Sequence, residues 1–223
     1  QDPDLLVVGE WMAPRLFLND NGQLKEASED WVPANLAGWW NTVAMADLDG
    51  DGDQDFVLGT HGLNSRFRAS TDQPISMHVN DFDQNGTAEQ VISLYNGDKS
   101  YPLALMHDLV KQMPGLRKKY LKYDSFKDQQ IADIFDSSQL KRSLVLEVQE
   151  LRSVVLWNDG DKFRTEVLPI VAQESPLYGF LLEDLDQDGR IDILAGGNFY
   201  YAKPEVGRYD ASFGVLLRQE ADG

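Results

Sequence analysis

Apolar residues along this chain fall in short runs closed by Gly, Asn or Asp, with one exception between residues 103 and 135. Runs of four or five residues, partly β-branched and bounded by turn formers, predict buried strands. Three of them, Phe56-Val57-Leu58-Gly59, Gln90-Val91-Ile92-Ser93-Leu94 and Ile193-Leu194-Ala195-Gly196, each follow directly on an acidic stretch. Just upstream of those acidic stretches, residues 41–46, 75–80 and 178–183 also read as strands. The predicted repeating unit is strand, acidic loop, strand. A second recurring pattern places Asn, Asp and Gly after an apolar strand, in residues 15–24 and again in 154–163. Such turn residues predict hairpins at the outer edges of the sheets. Residues 5–9 and 213–217 read as further strands.

The acidic stretches share the pattern D-x-D-x-[DN]-G-x-x-[DE]. They are Asp47 to Asp55, Asp81 to Glu89 and Asp184 to Asp192, with glycine at the sixth position in each. Calcium is a hard cation that takes 6–8 oxygen ligands, and alternating carboxylates on a tight turn direct several oxygens inward. Glycine permits the sharp turn. The expected ligands are the side chains at positions one, three, five and nine. These are Asp47, Asp49, Asp51 and Asp55, then Asp81, Asp83, Asn85 and Glu89, then Asp184, Asp186, Asp188 and Asp192. The backbone carbonyls at position seven, of Asp53, Thr87 and Arg190, are expected to join them, giving up to three Ca²⁺ sites. An EF-hand is excluded, because its loop ends in a bidentate Glu at position twelve between two helices. Here position twelve is Leu58, Ile92 or Ala195. The second loop, with Asn85 in place of an Asp, carries the fewest negative side chains.

The first two loops begin 34 residues apart and the second and third 103 apart, which predicts an insertion. From residue 103 to about 135 the apolar period becomes helical: Leu105, Leu109 and Met113 are four apart, and Pro114 opens a second segment with Leu116, Tyr120 and Tyr123. Residues 104–140 are read as a helical excursion from a sheet, dispensable to the β core.

The loops and the strands after them resemble FG-GAP/VCBS repeats, the calcium-loop blades also found in the integrin α-subunit head. The order Trp39-Trp40-Asn41, the loop from Asp47 to Asp55, Gly62-Leu63-Asn64-Ser65, Leu116-Arg117-Lys118-Lys119 and residues 207–212 is similar to large exported VCBS-repeat proteins of Bacteroidetes-type bacteria. The resemblance implies a mainly β chain of β-propeller blades, about four in number and part of a larger propeller, with the helical insertion in one blade. It also implies an extracytoplasmic setting, whether secreted, cell-surface or periplasmic, calcium at millimolar levels and a longer parent chain. Residues 5–9 read as a strand whose acidic loop would precede Gln1, so neighbouring blades or edge-to-edge self-association are expected to complete the end sheets.

Charge narrows the choice of partner. With 20 Lys and Arg against 37 Asp and Glu, the formal charge is −17, which repels nucleic acid and anionic lipid. No apolar run reaches the roughly 20 residues of a membrane-spanning helix. The chain has no cysteine, which excludes disulfides and thiolate metal sites. Its one basic cluster, Lys111, Arg117, Lys118, Lys119, Lys122 and Lys127, lies in the helical segment and reads as a solvated face. His61, His78 and His107 lack the spacing of a helical zinc motif, and no nucleophile elbow is present. Trp11, Trp31, Trp39, Trp40 and Trp157 suit inter-blade core better than a sugar platform. The reading is a calcium-binding module for a protein or glycan ligand and not an enzyme. The alternative is a propeller-based hydrolase or lyase acting on polysaccharide.

Overall fold

The computed structural model describes residues 2–203 and 206–220 and is mainly β, with every strand pair antiparallel. The chain divides into two compact units, one formed by residues 1–66 with 150–223 and the other by residues 67–149.

In the first unit the predicted strand, loop, strand repeats form hairpins. Thr42–Ala46 pairs with Asp55–Gly59, and Gly179–Glu183 with Asp192–Gly196. The hairpin patterns are also present, as Arg15–Asp20 with Gln23–Glu26 and Val154–Asn158 with Phe163–Val167. The structure adds what joins them. Asp55–Gly59 pairs on its other side with Val154–Asn158, making a four-stranded sheet from segments about a hundred residues apart. Three-stranded sheets form around Arg15–Asp20 and around Asp192–Gly196, which pairs with Val215–Leu217.

Neighbouring residues of the central strands enter different cores. Val57 and Val155 pack with Leu48, Leu168, Leu177 and Ile193, while Leu58, Val154 and Leu156 pack with Leu16, Trp40 and Phe163. The four-stranded sheet is therefore covered on both faces, by the sheet of Asp192–Gly196 on one and that of Arg15–Asp20 on the other. Burial on both faces explains why its strands read as continuous apolar runs and not as alternating ones. This stacking is that of β-propeller-like blades. Trp40 is 2% exposed, with its indole N–H donating to the Leu36 carbonyl at 3.1 Å. A sharp irregularity lies in Glu10–Met12, where Trp11 has φ of 63° and the register shifts against Gly38–Trp39. Positive φ is an outlier for so bulky a side chain, and the bulge turns Trp11 edge-on to Trp39 at 5.4 Å.

The second unit holds one four-stranded sheet, in the order Lys99–Pro102, Glu89–Asn96, Ile75–Asn80, Leu144–Val148. The helices Met106–Gln112, Leu116–Lys119, Ile131–Ile134 and Ser137–Arg142 lie between its two edge strands in sequence. Leu109, Met113 and Tyr120 are buried as their spacing predicts, but Leu105 and Tyr123 are 56% and 57% exposed. Leu105 caps Met106–Gln112 and Tyr123 opens a 3₁₀ turn, so neither continues the helical stripe.

The expectation that the helical segment is dispensable needs correction. Phe82 and Val91, from the acidic hairpin and its strand, share a core with Leu109, Met113, Tyr120, Phe126, Ile134 and Phe135. The Phe82 and Phe135 rings stack at 3.9 Å. The Gln139 amide donates to the Phe82 carbonyl, and the Asn80 amide to the Gln139 carbonyl. The helical segment is thus the apolar partner of Phe82 and Val91. Replacing residues 104–140 by a Gly/Ser linker is expected to strip amide-exchange protection from Ile75–Asn80 and Glu89–Asn96. Asp55–Gly59 and Val154–Asn158 should keep theirs, and hydrogen-exchange mass spectrometry on the two strand sets checks it.

Candidate metal centres

Each acidic loop is the connection of a hairpin in one register. The residue before position one faces the acid at position nine: Ala46 opposite Asp55, Asn80 opposite Glu89, Glu183 opposite Asp192. The ninth residue is thus the first of the outgoing strand, where the sheet buries it. Asp55, Glu89 and Asp192 are 2%, 5% and 2% exposed.

These carboxylates turn back into the loop. Asp55 accepts the Leu48 N–H at 2.9 Å, Glu89 the Phe82 N–H at 2.9 Å, and Asp192 the Leu185 N–H at 3.2 Å. Position nine therefore fixes position two in all three copies. Position one clasps the turn. Asp47, Asp81 and Asp184 accept the N–H groups of Gly52, Gly86 and Gly189 at 3.0, 2.9 and 2.9 Å. Position five accepts from position seven, through Asp51 to Asp53, Asn85 to Thr87 and Asp188 to Arg190. The sequence pattern assigns these side chains only to a cation; the loop's own amides already use one oxygen or both of several.

Position four is a feature that the sequence pattern does not single out. Gly50, Gln84 and Gln187 all have positive φ, of 79°, 60° and 66°. Position six does too, and there glycine is invariant across the three loops. Left-handed backbone disfavours side chains with a Cβ, so the second and third loops hold strain that the first relieves with Gly50.

The carboxylates converge in threes. One oxygen from each of Asp47, Asp49 and Asp55 lies within 4.8 Å of the others, and so do Asp81, Asp83 and Glu89, and Asp184, Asp186 and Asp188. The first two loops gather positions one, three and nine, whereas the third gathers one, three and five. Of the other acids expected to bind through their side chains, Asp51 and Asp192 fall outside these groups. Arg190 aims its guanidinium at Asp188 and at the Gln219 carbonyl. Desolvation raises the Asp55 pKa above the usual carboxylate value; the Asn158 and Leu48 amides oppose this, and the charges of Asp49 and Asp51 add to it. An oxygen-only donor set with like charges held together suits a hard divalent cation, whose charge offsets the repulsion.

The histidines lie outside these clusters. His107 Nδ1 is 3.1 Å from the Tyr123 hydroxyl and its other nitrogen 3.3 Å from Asp108. His78 sits in Ile75–Asn80, its pKa lowered by burial against the opposing effect of Glu147. His61 is edge-on to Trp39 and to Tyr209, at 5.5 and 4.8 Å.

The sequence profile of the FG-GAP-like repeat family matches residues 1–58, a span that includes the whole first acidic loop. No curated protein and no solved structure matches the chain. The match covers about a quarter of the chain, and the second and third loops lie beyond the matched span with the same register and clasp. The stacked antiparallel sheets, with the FG-GAP-like match over residues 1–58, support a β-propeller-like module. No helix among the described residues is long and apolar enough to cross a membrane.

The strained position four can be relieved by substitution. Gln187→Gly should stabilise the protein by about 0.5 kcal/mol, the relief of left-handed strain exceeding the added chain entropy of glycine. Urea denaturation of the variant checks it. A pH dependence is expected from His61, whose pKa burial lowers to about 4. An unfolded histidine binds its proton near 6.5, so below that pH the unfolded chain takes up a proton that the folded one refuses. The neutral ring's contribution is whole above 6.5 and is lost as the pH falls towards 4. The expected loss is about 2 kcal/mol, absent in His61→Phe, and is measured by urea midpoints at pH 7 and pH 4.5.

Proposed function

We propose that this chain is a calcium-binding, extracytoplasmic module that uses propeller-like sheets to engage a protein or glycan ligand. The observation that carries the reading is the threefold recurrence of one device, in which a hairpin brings three carboxylates within 4.8 Å of one another. Concentrating negative charge in this way, in a chain already at −17, costs stability unless a cation is present. The donors are all oxygen, which favours calcium over the transition metals. The FG-GAP-like match at residues 1–58 supports the reading, because repeats of this type are typical of extracellular proteins, where calcium is abundant. The role of calcium here is structural, bracing the turn that joins the two strands of each hairpin. The ligand-binding surface is then a property of sheets held in shape by metal, with no chemical step assigned to the loops.

Calcium should raise the melting temperature. A site filled at a hundredfold excess over its dissociation constant adds about 2.7 kcal/mol, or roughly 5 °C for a domain of this size. Asp47→Asn removes charge from the first cluster and should abolish a large part of that shift while leaving the β-sheet circular dichroism intact. Differential scanning calorimetry in millimolar calcium and in excess chelator, with metal content measured in both samples, is the test. Coincident curves would overturn the proposal.

A further inference from the structure

The three loops share a backbone but differ in what neutralises them. Among the described residues, no Lys or Arg lies within ion-pair distance of the carboxylates of the first loop or the second. The third loop has two. Arg190, at position seven, contacts the Asp188 carboxylate while its Nε donates to the Gln219 carbonyl at 2.9 Å. Arg218, just past the strand Val215–Leu217, places Nη1 3.4 Å from Asp186 Oδ2. The same chain segment is tied down a third time, by the Gln219 N–H on Asp192 Oδ1 at 3.3 Å. Two of the three clustered acids, Asp186 and Asp188, thus already face a guanidinium. In the third loop the cluster consists of positions one, three and five, with Asp192 outside it.

We propose that Arg190 and Arg218 are built-in counterions of the third loop, holding it together without metal and making it the last of the three to take calcium. This rests on the calcium reading above for its ordering but not for its counterion role. A divalent cation entering the third cluster meets two fixed positive charges a few ångströms away and must draw Asp186 and Asp188 from them. Neither obstacle exists in the first loop, where Asp49, Asp51 and Asp53 add negative charge with no cation beside it. Counting carboxylates alone makes the second loop the weakest. Counting the arginines moves that place to the third, although it has an Asp at positions one, three, five and nine.

The order can be read loop by loop from the amide resonances of Gly52, Gly86 and Gly189, each bonded to the position-one carboxylate of its own loop. In a calcium titration of the whole chain, Gly189 is expected to shift at concentrations about tenfold higher than Gly52. Arg218→Gln, at an exposed position, should bring the Gly189 midpoint down several-fold and leave Gly52 unmoved. Arg218→Lys, which keeps the charge, should stay close to the parent. In chelator, Arg190→Gln with Arg218→Gln should lower the melting temperature and speed amide exchange at Gly189 but not at Gly52. A Gly189 midpoint at or below that of Gly52, or one that ignores Arg218→Gln, overturns the ordering. Unchanged melting and exchange of the double variant in chelator overturns the counterion role. If no glycine responds to calcium in the parent chain, the calcium reading and the ordering fall together, and the chelator measurement still decides the counterions.

Discussion

The buried carboxylate at position nine of each acidic loop is the contact on which the rest of the local structure depends. Asp55, Glu89 and Asp192 sit where a strand begins, shielded by the sheet, and each holds the backbone N–H of the residue seven positions earlier. Asp55 goes further and accepts the Asn158 N–H at 2.8 Å, a bond across 103 residues. One side chain thereby fixes the loop, the pairing of its own hairpin and the junction with the next strand. A buried charge is costly unless well bonded, and the amides around it supply that bonding. The outer acids at positions one and three are then positioned by a loop whose ends are already set.

Packing follows from the same arrangement. Because the hairpin strands emerge in register, Val57 and Leu58 are delivered to opposite faces of one sheet, and two separate cores grow from adjacent residues. In the second unit the corresponding hairpin sends Phe82 and Val91 into a cluster built by helices. The same turn therefore serves two kinds of neighbour, sheet or helix. What it requires is only an apolar residue at position two and a run of apolar residues after position nine.

Much of this is legible in the sequence, for identifiable reasons. The loops repeat, so Asp47, Asp81 and Asp184 announce one another. The hairpins at residues 15–24 and 154–163 carry turn chemistry that acts over a few positions. What cannot be read acts at long range or against preference. Nothing near Val154 marks it as a partner of Leu58, since strand pairing leaves no local signature. Gln84 and Gln187 give no sign of a left-handed backbone, because glutamine is not a residue of such turns. Arg218 is 32 positions from Asp186 in the chain and becomes its counterion only once Val215–Leu217 has paired. The buried role of position nine does have a signal, one that a ligand assignment hides: an acid beginning an apolar strand is as much an anchor as a ligand.

The discontinuity of the first unit has a consequence for how the chain is made. Asp55–Gly59 leaves the ribosome long before Val154–Asn158 exists, so its second edge stays open while the intervening segment is synthesised. Residues 67–149, which form a compact unit of their own, are complete by then and free to fold first. Until Val154–Asn158 emerges, the nascent chain carries Asp55–Gly59 as an apolar strand unpaired on one side for about a hundred residues of elongation. Pairing strands so far apart in the chain carries a loop-closure cost, which makes closure of the central sheet slow relative to the local hairpins on either side of it.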